Sequence, residues 1–166
     1  MSRLISGIIG KVCIYKTFNL NEKEEFYNIV YDKLKQTYPS IVNEKHYKKL
    51  SKNGEVYLAK FYKDYNGLCM FLSKDIVLAK SLGRTWFSKT GLHESIHKIC
   101  GEKWYKYRRG IAEGMCEDVA QECINKKVSS IFYFTKINKY KMQYNFGYGT
   151  SYVNPVCLVR QMKKLL

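Results

Sequence analysis

The sequence predicts an α+β fold, and three observations carry that reading. Apolar residues recur at helical spacing in four stretches, while three short β-prone runs separated by turn residues lie between the first and the second. The 166 residues, 46% of them hydrophobic and 15% aromatic, describe a globular chain of about one domain, able to bury roughly 70% of its unfolded surface. The expected organisation is therefore a single compact domain over residues 1–166. No repeat, low-complexity stretch or linker interrupts it.

The first helix is expected at about 22–38. Asn21 followed by Glu24 reads as a capping pair, Phe26, Ile29, Val30 and Leu34 supply the apolar face, and Pro39 stops the pattern. Next, "GEVYLAKFY", "GLCMFL" and "DIVLA" read as three strands, with Asn66-Gly67 as a tight-turn signal between the first two. A small antiparallel meander is the simplest way to join them. His46, in "EKHYKKL", is read as a surface residue.

Helical spacing returns after "SLGRTWFSKT". Ser88 or Thr90 can cap this second helix, Leu92, Ile96 and Ile99 form its apolar face, and Gly101 ends it. A third helix spans about 111–126, with Ala112, Cys116, Val119, Ala120 and Cys123 as its buried stripe and Glu113 and Glu117 on another face. The tail "SYVNPVCLVRQMKKLL" places Pro155 near the start of a last helix, carried by Val156, Val159, Met162 and Leu166.

Lysine and arginine exceed aspartate and glutamate by 29 to 14, a net charge of +15. Such a surface steers a protein toward nucleic acid, anionic membranes or acidic substrates, yet the basic residues are scattered and no helix-turn-helix, zinc-finger or RNA-recognition signature accompanies them. Arg108 and Arg109 read as exposed charges. The six cysteines contain no CxxC pair, so they read as reduced, partly buried thiols. In "MSRLISGIIGKVCIY", Gly7, Gly10 and Lys11 break the apolar run before a signal-peptide core or membrane span is complete, so no membrane span and a cytoplasmic location are expected.

The stretch "GLHESIHKICG" carries the chemistry. His93 and His97 are four apart, so a helix projects both imidazoles from one face, close enough to reach a single ion at about 2.0–2.1 Å. Glu94 sits about 100° around the helix, where it can face an activated water without ligating the metal. A catalytic zinc commonly takes three protein ligands, and the best third donor is Glu113 in "GIAEGMCEDVA". Glu117, one turn on, suits a hydrogen bond to the outer N–H of a liganding histidine, and Asp118 competes for that role. Cys100 reads as a packing thiol.

"HESIH" followed by "EGMCE" resembles the gluzincin branch of the zincin metallopeptidases, and in size the chain is most similar to the minigluzincins. The likeness covers about residues 88–124. It implies a zincin-like architecture in which the meander sheet precedes an active-site helix and a glutamate-bearing helix. It also implies one Zn2+ per chain held by His93, His97 and Glu113, with Glu94 as general base in the attack of a zinc-bound water on the peptide bonds of a peptide or protein substrate. Members of this group often support the oxyanion with a downstream Tyr or His. No histidine follows His97, which leaves Tyr148 or Tyr152. The resemblance also raises a latent form in which the C-terminal segment occupies the cleft.

By order along the chain, Asp75 to Ala79 is expected to form the sheet edge to which an extended peptide adds. The rival reading is a basic nucleic-acid-binding or regulatory protein in which HExxH is structural or vestigial. A metal-dependent hydrolase acting on a non-peptide bond shares the chemistry but not the resemblance.

Overall fold

The structure is a computed structural model that describes residues 4–5, 12–61, 65–70, 72–82, 84–101 and 109–124. By its contacts the chain divides into two compact units, Met1–Gly101 and Glu102–Leu166. The first runs β1 (Leu4–Ile5), β2 (Val12–Thr17), α1 (Leu20–Thr37), α2 (Glu44–Ser51), β3 (Val56–Phe61), β4 (Gly67–Met70), β5 (Asp75–Ala79) and α3 (Arg84–Cys100). The second holds α4 (Arg109–Cys123) among its described residues. The α+β class expected from sequence is present. No helix among the described residues is long and apolar enough to cross a membrane.

The sheet is not the expected antiparallel meander. Its order is β1-β2-β3-β5-β4, and β5 pairs parallel to β3 while pairing antiparallel to β4. Asn66-Gly67 therefore does not close a hairpin between β3 and β4. The turn that makes a hairpin is Leu72–Lys74, where Lys74 takes a left-handed φ of 63° and β4 folds back on β5. Asp75 to Ala79, expected at the edge, is interior, and the edge beside it is β4. Local turn chemistry favours joining neighbours, whereas burial decides the order: Ile76, Val77, Leu78 and Ala79 are all buried, as suits a strand covered on both faces.

Side chains alternate across each strand, so the sheet carries two apolar faces. Val12, Ile14, Ala59 and Val77 form a buried cluster on one, with Tyr57, Phe61, Leu68 and Met70 packed against it. The β2–β3 register shifts between Ile14 and Lys16, which marks a bulge and leaves Tyr15 exposed. Val56, Ile76 and Leu78, fully buried, lie on the other face. Helix α3 packs on β4 and β5, and α1 and α2 pack on α3. Leu50 of α2 and Leu92 of α3 are 0% and 1% exposed, and each such leucine contributes about 1.5–3 kcal/mol through burial.

Helix α1 begins two residues earlier than expected. Asn19, not Asn21, is its N-cap, and Glu22 returns the bond to complete a capping box. Starting there sets Phe18 edge-on to Phe26, with ring centroids 6.2 Å apart. Asn43 caps α2 in the same way with His46, whose Nδ1 accepts the Asn43 N–H, so His46 closes a helix end rather than merely facing solvent. Neither α2 nor β2 was expected from sequence.

Candidate metal centre

Helix α3 runs from Arg84 straight through Ser88 and Thr90, so neither acts as its cap. It stops where expected, at Gly101, whose φ of +55° lies in the left-handed region that glycine adopts without steric cost. Leu92, Ile96 and Ile99 are buried as expected, and so is every other residue from Thr90 to Lys98. The HExxH residues thus occupy a helix enclosed on several sides. His93 is 3%, Glu94 6% and His97 5% exposed.

The two imidazoles converge. Nε2 of His93 lies 3.1 Å from Nε2 of His97, with ring centroids 4.9 Å apart and planes at 64°. A tetrahedral ion about 2.0–2.1 Å from both nitrogens holds them about 3.3 Å apart, so the pair needs almost no adjustment to receive one. His93, His97 and Glu113 each offer a ligand atom within 4.8 Å of the others. This group can hold a metal ion. Two imidazole nitrogens and a carboxylate oxygen form a donor set that several divalent metals accept.

Glu94 is set against the sheet edge. A Cβ built on Gly67 of β4 would fall 2.9 Å from Cγ and 3.0 Å from Oε1 of Glu94, and 2.5 Å from Cγ2 of Thr90. Only glycine lets the strand pass that close. Cys69, two residues along and on the same face of β4, is buried, and burial followed by the negative charge of Glu94 pushes its thiol up to about 12. It stays protonated at neutral pH, which makes it a packing group rather than a nucleophile.

One turn beyond Glu94, the buried Lys98 donates from Nζ to the Tyr27 hydroxyl at 2.9 Å and to the Asn53 carbonyl at 2.8 Å. Its ammonium also lies 4.8 Å from the centroid of the Tyr27 ring. Desolvation holds its pKa down at about 8, while the neighbouring Cys69 and Asp75 act in the opposite direction. The Tyr27 phenol is pushed up, chiefly by burial and then by the charges of Glu55 and Asp75. Lys98 thus ties α3 to α1 and to the turn after α2. Sequence reading missed Lys98 and took Gly67 for a turn residue only. Lysine in a helix reads as polar surface, although its place one turn after Glu94 was a signal.

In α4, Glu113 is partly exposed, while Glu117 and Asp118 are 3% and 0% exposed. Glu117 and Asp118 are thus buried carboxylates beside the apolar stripe of this helix. Gln121 donates from Nε2 to Oε1 of Glu117 at 2.8 Å, which fixes that carboxylate within its own helix. Ala112, Cys116, Ala120 and Cys123 are buried as expected, but Val119 is only partly so. Cys13, Cys69, Cys100, Cys116 and Cys123 form no disulfide among the described residues. Tyr148, Tyr152, Arg108, Cys157 and the expected tail helix after Pro155 lie outside the described residues.

Comparisons with family models, with curated proteins and with solved structures returned no match. The likeness to the gluzincins therefore rests on the residues of the motif alone.

Proposed function

We propose that the chain is a zinc-dependent, gluzincin-like endopeptidase with a zincin-like fold. The observation that carries this reading is the pair of buried Nε2 atoms 3.1 Å apart, one residue from a buried carboxylate, on a single helix. Two nitrogens at that separation either share a proton or share an ion. With the Glu113 carboxylate in the same group, the ion is the better account.

In this reading His93, His97 and Glu113 hold the zinc. Zinc supplies Lewis-acid activation of a water and of the scissile carbonyl. Glu94 accepts the water's proton on its carboxylate and passes it to the leaving amine. Gly67 lets β4 lie against Glu94, so an extended peptide paired to this edge brings its backbone to the base. The proposed substrate platform is β4 in place of Asp75 to Ala79. The enzyme is proposed to act in the cytoplasm.

Elemental analysis of the parent beside His97→Ala and Glu94→Gln, followed by peptide-library cleavage, tests the proposal. About one zinc in the parent and in Glu94→Gln, its loss in His97→Ala, and cleavage by the parent alone are expected. A parent that takes up no zinc on reconstitution would refute the assignment.

A further inference from the structure

We propose that the exposed lysine face of α2 docks the phosphodiester backbone of nucleic acid, independently of the metal centre. Lys45, Lys48, Lys49 and the C-cap residue Lys52 are all exposed. At 100° per residue they fall within an arc of about 100° on the side opposite Leu50, and they extend about 10.5 Å along the axis. Leu50 is 0% exposed, so the lysine arc is the outward face of the helix. Glu44, the one acidic residue of α2, lies outside the arc. The ion pairs among the described residues, Lys16–Glu22 and Lys23–Glu55, engage none of these lysines.

Helix stability accounts for only part of this face: Glu44 supports Lys48 four residues on, and no other acidic residue of α2 supports the remaining lysines. The macrodipole favours Lys48, Lys49 and Lys52 at the C-terminal end but opposes Lys45 in the first turn. Four pairs three or four residues apart (45/48, 45/49, 48/52 and 49/52) set like charges side by side, which destabilises a helix. A polyanion relieves all four repulsions at once.

The anion favoured is a nucleic acid. Leu50 is spent on the core and α2 packs on α1 and α3, so the helix keeps no apolar face to insert into a bilayer. Duplex DNA carries one charge per 1.7 Å of axis, about six phosphates along the length of the lysine face. The net charge of +15 steers such a partner toward the protein from a distance.

The test is fluorescence anisotropy of a fluorescein-labelled 20-base-pair DNA duplex between 50 and 200 mM NaCl, with circular dichroism as a check of fold. Each phosphate contact contributes about 0.9 to the slope of log K against log salt. Changing Lys45, Lys48, Lys49 and Lys52 together to glutamine should therefore lower the slope by about 3–4, and changing Lys45 and Lys49 alone by about 2. A control with Lys60 of β3 and Lys80 at the end of β5, both exposed, changed to glutamine removes as much charge as the double variant and should keep most of the slope. Glu94→Gln should bind DNA like the parent even if the peptidase reading fails. The proposal is overturned by equal slopes in the α2 and control variants, or by a parent that does not bind at 50 mM salt. Loss of binding to phosphatidylserine vesicles with DNA binding intact would overturn it in favour of a membrane.

Discussion

Gly67 of β4 lies against Glu94 of α3, close enough that a methyl group on residue 67 would sit 2.9 Å from Glu94 Cγ. The strand's backbone is thereby placed beside the proposed base. Gly67→Ala should push Glu94 and Thr90 aside and destabilise the protein by about 1–3 kcal/mol, as overpacking does. If Glu94 acts as proposed, peptide cleavage should fall at least about tenfold while zinc content stays near one per chain, since a displacement of about 1 Å near the chemistry is that costly. Zinc stoichiometry and initial rates measured on one preparation check this. Unchanged rates would show that β4 does not set the base.

Metal removal should be felt in stability. A ligand that binds only the folded chain adds about 2.7 kcal/mol at a hundredfold excess over its Kd, which corresponds to a Tm shift of about 5–10 °C for a chain of this length. Scanning calorimetry with zinc and after chelation should show that difference in the parent and in Glu94→Gln, but not in His93→Ala. Equal melting temperatures in all samples would argue for a shared proton between the two imidazoles.

Lys98 predicts a particular pH dependence. Its folded pKa of about 8 lies below the ordinary 10.5, so the unfolded chain binds more protons between those values and stability should rise with pH through that window. The penalty for burying the charge is complete below about 8. Urea denaturation at pH 7.5 and 9.5, in the parent and in Lys98→Met, isolates the effect: the parent should gain stability relative to the variant at the higher pH. Parallel pH profiles would mean that Lys98 is no harder to charge when folded than when unfolded.

Thiol reactivity should sort by burial. At pH 8 a disulfide reagent should modify Cys13 and Cys100, both partly exposed, well before the buried Cys69, Cys116 and Cys123. Peptide mapping after timed labelling reads the order. Early labelling of Cys69 would contradict the raised pKa of its thiol.

The approach of His93 to His97 was legible because its spacing is local: four residues of helix fix their geometry, and Gly101 announces the end. Asn19 and Asn21 each precede a glutamate by three residues, and the local sequence does not choose between them. The contact of Phe18 with Phe26 favours the earlier start. Helix α2 was hidden because Leu50 is its one fully buried side chain and its lysines leave no apolar period. The place of β5 was not legible at all, since its parallel pairing with β3 depends on residues about 20 apart and not on any turn. Lys98 was missed for a related reason: its partners Tyr27 and Asn53 are 71 and 45 residues away.

The insertion of β5 between β3 and β4 has a mechanical consequence. Both walls of its slot precede it in the chain, so the sheet closes only when the last strand arrives, and each of its two seams is held by four residue pairs of that strand. Damage to β5, such as Ile76→Pro, opens both seams together and detaches the strand on which Glu94 rests. This five-residue segment is a keystone: it need not touch a substrate for its loss to disable the place where one would lie.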